Sequence, residues 1–169
     1  MKGIFSYKNN LLISEITYNF CMKNIEELLK KYSLELKTMI VFRKAGKVIS
    51  NKEEEVFNKY NVTITQFGVL DLLRAKGKLM VQDLIEKLFT TSGNITCVLA
   101  NMEKNDLIKK EVNPDDKRSF LISLTSKGRK LIDELLVEHV ENVNDIFSVL
   151  TTEDKENLIQ IFKKFKNLK

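Results

Sequence analysis

The sequence predicts a mainly α-helical protein carrying one small β-hairpin. Three observations lead to this fold class. The 169 residues include a single proline, Pro114, and six glycines, so helix breakers are scarce. Apolar residues recur at three- and four-residue steps along most of the chain. Only between Leu107 and Leu124 does the period shorten to that of strands, on either side of a segment dense in turn formers, Asn113-Pro-Asp-Asp-Lys-Arg118.

In chain order, residues 1–21 lack a clear period and are expected to be an N-terminal extension, either mobile or in contact with a partner. A true start at Met22 is the alternative, and an intact mass that includes Met1 would dismiss it. From Met22 the spacing of Ile25, Leu28, Leu29, Tyr32, Leu36, Met39 and Ile40 predicts an amphipathic helix over 22–50. Thr65 is the expected cap of the next helix. Phe67, Leu70 and Leu73, or Val69 and Leu72, supply its inward stripe, and Gly77 stops it. A short helix is predicted over Val81 to Leu88, and Phe89 to Gly93 form a turn. A further helix runs from Thr91 or Ser92 to Asn105, burying Ile95, Val98, Leu99 and Met102. Strands at 107–112 and 119–124 make the hairpin. Thr125 and Ser126 cap a long helix reaching about Leu150. Thr151 and Thr152 cap the last one, Glu153 to Leu168, with Glu153 and Asp154 at its positive end.

This length suits one domain with a real core. No run of about 18 apolar residues is present, as a membrane-spanning helix would need. Lys2 and Lys8 are not followed by the apolar stretch of a secretory signal, so a cytoplasmic location and no membrane partner are expected. Cys21 and Cys97 stand far apart and are expected as free thiols. With His139 as the one histidine, no metal cluster is expected, and no other cofactor. Neither a nucleophile elbow nor a phosphate loop is present, which argues against an enzyme. The net charge is +5, unevenly spread. Residues 65–130 carry 12 Lys and Arg against 8 Asp and Glu, whereas residues 131–169 carry 5 against 8. A basic middle beside an acidic end suits a nucleic-acid surface on the middle section, and also suits ordinary surface charge.

Two short helices joined by a tight turn and followed by a hairpin can place one helix in a major groove. The hairpin then meets the adjacent backbone or minor groove. Opposite the apolar face of the helix at 92–104 lie Ser92, Asn94, Thr96, Cys97, Asn101 and Lys104. Asn and Thr can meet base edges, and Lys104 can meet phosphates. A solvated polar face is the plain alternative. At the hairpin tip Arg118 is the side chain that best suits a narrow, electronegative minor groove, with Lys117 beside it. Asp116 could hold Arg118 in position or brace the tip. Lys109 and Lys110 make the hairpin root basic.

Residues 64–130 resemble the MarR (multiple antibiotic resistance regulator) family of winged-helix regulators. The resemblance is carried by Ile64 to Leu70, by Thr91 to Lys104, by Asp106-Leu-Ile-Lys-Lys110, and by Asn113 to Arg118 followed by Ile122 to Gly128. The family's Asp-x-Arg wing element falls on Asp116 and Arg118, and its Leu-Thr-x-x-Gly exit on Leu124, Thr125 and Gly128. The resemblance implies a winged helix-turn-helix at 64–125 within a single domain at 22–169, with dimerisation helices at 22–50 and 126–168. It further implies a homodimer on a pseudo-palindromic operator in double-stranded DNA, acting as a repressor and released by a small anionic or phenolic effector. Leu131, Leu135, Val143, Ile146, Phe147, Leu150, Leu158, Ile161, Phe162 and Phe165 supply more apolar surface than a small head needs, which agrees with a dimer and also with a monomeric helical core. Two other functions remain open at this level: redox sensing through Cys97, and protein interaction without DNA.

Overall fold

The computed structural model describes residues 24–167; Cys21, Met22, the extension before them and Leu168 lie outside the described residues. Residues 24–31 are helical and lead, through a turn at Tyr32, into α1 (Ser33–Lys59). The hydrogen-bond ladder carries across that turn: the Tyr32 N–H donates to Leu28 O at 2.9 Å and the Leu36 N–H to Tyr32 O at 3.0 Å. The expected end near residue 50 is too early. The Glu-rich stretch continues the helix, with Lys52 and Glu55 paired one turn apart at 3.0 Å, and Val56 and Phe57 anchor its end in the core.

The chain divides into two compact units whose border falls between Val48 and Ile49, inside α1. In the first unit Ile25, Leu28, Leu29, Tyr32, Leu36, Met39 and Ile40 form the periodic apolar face read from the sequence, and all are exposed. The second unit continues with α2 (Ile64–Lys76), β1 (Leu79–Met80), α3 (Val81–Lys87), α4 (Ser92–Lys104), β2 (Ile108–Val112), β3 (Phe120–Leu124), α5 (Ser126–Phe147) and α6 (Thr152–Lys163). A 3-10 turn follows at Lys164–Asn167.

The core of this unit joins Phe57 of α1 to Val69, Leu70 and Leu73 of α2, Leu84 of α3, Ile95, Leu99 and Met102 of α4, Ile122 of β3, and Ile132 and Leu135 of α5. Each such side chain contributes about 1.5–3 kcal/mol on burial. Leu135 therefore belongs to the chain's own core and is removed from the surplus apolar surface counted in the sequence. His139 is half-buried against the same core, its ring 4.5 Å from that of Phe67 and 5.4 Å from that of Phe57.

The sheet is antiparallel with order β1-β3-β2. Ile108 pairs with Leu124, Lys110 with Ile122 and Val112 with Phe120, while Leu79 of β1 pairs with Ile122 from the other side. The hairpin matches the sequence expectation within a residue. β1 was not expected, because two residues are too few to show a period.

Caps explain where the helices start. Thr63, not Thr65, begins α2: its hydroxyl accepts from the Gln66 N–H at 3.2 Å, and the Gln66 side chain accepts from the Thr63 N–H at 2.9 Å. That reciprocal pair needs a side-chain oxygen acceptor three residues on, which Thr65 lacks because Gly68 stands there. Gly77 ends α2 with φ 81, a conformation that favours glycine. Thr125 caps α5 through the Gly128 N–H at 3.0 Å, and its own hydroxyl donates to Asp106 O at 2.6 Å. Gly128 is required by proximity, since a Cβ there would lie 1.9 Å from the Leu107 carbonyl oxygen. α5 stops at Phe147, short of Leu150, and the Thr151 cap of α6 is closed by Asp154.

Candidate nucleic-acid interface

α3 and α4 meet at a tight turn, and the hairpin follows α4 directly. Thr91 caps α4 by accepting from the Asn94 N–H at 3.3 Å. Ile95, Leu99 and Met102 hold the helix on the core, with Val98 half-buried beside them. Ser92, Asn94, Thr96, Cys97, Asn101 and Lys104 are all exposed, on the side away from that anchor. At about 100° per residue these positions form two stripes, with Cys97 and Lys104 between them. Ser92 and Thr96 share the first stripe with Ala100 and Glu103, which turns toward the hairpin. Asn94 and Asn101 lie on the second, on the far flank.

The hairpin-facing stripe and the wing enclose a cleft of about 460 Å³. Ser92, Thr96, Ala100 and Glu103 line one wall, and Lys110, Arg118 and Phe120 another. The fold thus brings Ser92, Thr96 and Arg118 together, although more than twenty residues separate Thr96 from Arg118 in the chain.

Several polar groups on this face are already oriented by the protein. The Thr96 hydroxyl donates to Ser92 O at 2.8 Å, and the Asn94 amide donates to Thr90 Oγ1 at 2.8 Å. Asn101 differs from what its position suggested. Its side-chain oxygen accepts from Gln66 Nε2 at 3.1 Å and from Asn105 Nδ2 at 3.0 Å, tying α4 to α2. Its amide nitrogen is what it can offer to a base. Gln66, not singled out in the sequence, is the residue that orients it.

The hairpin tip is braced from within. Asn113, buried at the base, donates through Nδ2 to Ser119 Oγ at 3.0 Å and accepts from the Asp115 N–H at 3.1 Å. The Asp116 carboxylate accepts from the backbone N–H of Arg118 at 3.0 Å. Lys117 and Arg118 are left exposed at the tip.

The root is less positive than its sequence implied. Glu111 meets Lys109 Nζ at 2.8 Å and Lys78 Nζ at 2.5 Å. Hydrogen bonds first from Lys109 and then from Lys78 hold its carboxyl at about 2, well below the usual carboxylate range. Lys110 Nζ lies 3.9 Å from the centre of the Phe120 ring. Lys110 and Arg118 bring positive charge to the cleft itself, and Lys104 and Lys117 are exposed on α4 and at the hairpin tip. Among the described residues no three His, Cys, Asp or Glu side chains are grouped to hold a metal ion, and no helix is long and apolar enough to cross a membrane.

Comparison with known proteins gives this arrangement a context. Residues 51–135 match the family model for the transcriptional regulator SarA/Rot. The chain is 30% identical over 129 residues to the HTH-type transcriptional regulator MhqR of Bacillus subtilis, covering 76% of this chain and 89% of that one. It is similar to MepR of S. aureus, solved in complex with DNA, with TM-score 0.69 and 25% identity, over 75% of this chain and 94% of MepR. It is also similar to NadR, solved with 4-hydroxyphenylacetate, with TM-score 0.63 and 25% identity, over 77% of this chain and 92% of NadR.

Proposed function

Since this chain belongs to the MarR family of winged-helix, DNA-binding transcription regulators, we propose that it works in the cytoplasm as a homodimeric repressor released by a small anionic or phenolic effector. α4 enters the major groove of each half of a pseudo-palindromic operator, and the hairpin tip reaches the neighbouring minor groove. Ser92, Asn94, Thr96, Cys97 and Asn101 face base edges, Lys104 and Lys117 face phosphates, and Arg118 enters the narrow groove. The observation that carries this reading is the shared cleft between α4 and the internally braced tip that presents Arg118. MepR supports the DNA partner and NadR the effector class, through what each was solved with. Support for the dimer comes from α6, none of whose residues is buried within one chain.

The test is Arg118→Ala against a duplex that the wild type selects from a random-sequence pool. Affinity is expected to fall by about 1–3 kcal/mol, the scale of one specific groove contact. Equal affinity of the two proteins would mean that the wing is not inserted.

A second mode of release is favoured by one observation: the Cys97 thiol is exposed on the outward side of α4. Its oxidation would add bulk and polarity against the DNA. DNA binding should then fall after mild peroxide in the wild type and persist in Cys97→Ser. An equal loss in both proteins would dismiss this thiol.

A further inference from the structure

Two residues at the start of α4 weaken the fold and receive nothing from the chain in return. Three helices of this unit close in the same way, with a backbone N–H reaching back five residues over a left-handed one. Val62 donates to Phe57 O across Asn61, Thr90 to Ile85 O across Phe89, and Leu107 to Met102 O across Asp106. The left-handed residues have φ 53, 48 and 57. Asn and Asp tolerate that conformation, and glycine is its usual occupant. Phenylalanine is strained there, and packing does not explain its presence, because Phe89 is 97% exposed.

Gly93 is the second such residue. Its φ is not left-handed, and a Cβ built on it would meet nothing within 4 Å. Neither turn geometry nor close packing calls for glycine, while alanine at a compatible backbone angle would stabilise the protein by reducing the freedom of the unfolded chain. Gly46 in α1 also has open space around it, but no strained, exposed aromatic stands beside it. Gly93 heads the line Gly93, Cys97, Ala100, Lys104, which runs along the middle of the exposed arc, opposite Ile95, Leu99 and Met102. A surface lying against α4 comes closest to its backbone along that line.

We propose that Phe89 and Gly93 are DNA-contact residues. Phe89 lays its ring against a deoxyribose or a thymine methyl at the groove edge, and Gly93 lets the duplex close on the helix backbone. This rests on the reading of α4 as the groove helix. Duplex DNA is the occupant because Gly93 stands between Ser92 and Asn94, and Asn94 donates back to Thr90 Oγ1, next to Phe89, so both residues adjoin small polar groups that suit base edges. Local rules of folding are broken where binding requires it.

Gly93→Ala and Phe89→Asn should separate stability from binding. Each is expected to raise the melting temperature by about 2–6 °C. Each should also weaken binding to the wild-type-selected duplex about tenfold, read by fluorescence anisotropy. A variant that binds as tightly as wild type removes its residue from the interface. A lowered melting temperature assigns the residue to the fold and likewise overturns the proposal. If wild type selects no duplex at all, the reading of α4 itself fails; the other two outcomes leave that reading standing.

Discussion

α2 and α6 are nearly equal in length, 13 and 12 residues, and each starts at a threonine closed by a reciprocal capping box. Locally they are the same kind of helix. In the tertiary structure α2 is sunk into the core through Val69, Leu70 and Leu73, whereas no residue of α6 is buried and Ile159 and Ile161 stand about half exposed. The first unit resembles α6, with its periodic apolar face exposed from Ile25 to Ile40. Helices this short are marginal in water, so an apolar face must be covered for them to persist. The head covers its helices from within one chain. We read the end helices as covered by a second copy.

The sharpest way to break this contrast is to truncate one apolar residue in each region. Leu73→Ala empties a fully buried site and should cost about 2–5 kcal/mol in urea unfolding, with a midpoint shift that does not depend on protein concentration. Ile161→Asp should leave the head's own packing intact and instead weaken self-association by at least about 2 kcal/mol, roughly thirtyfold. Sedimentation equilibrium would then show monomer at micromolar concentration. If Ile161→Asp sediments as wild type does, the second copy is not seated on α6.

A smaller effect would sharpen the picture of the head. The Glu111 carboxyl is held at about 2 by Lys109 and Lys78, below its ordinary 4.5. A depressed carboxyl contributes stability that is present above 4.5 and is lost as the pH falls toward 2. Glu111→Gln should therefore flatten part of the acid limb of the melting curve between these values and leave DNA-free stability near pH 7 only slightly lower. The groups are exposed and screened, so the difference should be small and should shrink further in high salt.

Much of the head was legible because its signals are local. The turn-rich segment at 113–118 located the hairpin, and the stripe of Ile95, Leu99 and Met102 identified the anchored face of α4. Thr65 was mistaken for the cap because the polar residue nearest the apolar run looked sufficient; the decisive partner was Gln66, three residues after Thr63. β1 escaped notice since its identity as a strand comes entirely from Ile122 and Leu121 across the sheet. In the sequence Phe89 and Gly93 are ordinary turn residues; what sets them apart is the left-handed backbone of one and the empty surroundings of the other.

By itself the sequence determined the types of the longer helices and of the hairpin strands, the capped starts at Thr125 and Thr151, and the separation of polar from apolar faces. These depend on contacts within a few residues, which spacing alone specifies. Only the tertiary structure decided that Leu135 belongs to the core, that Asn101 is held by Gln66, that Glu111 pairs with both Lys109 and Lys78, and that Arg118 lines one cleft with Ser92 and Thr96. Each of those depends on which distant segments the packing brings side by side, and periodicity along the chain carries no record of that choice.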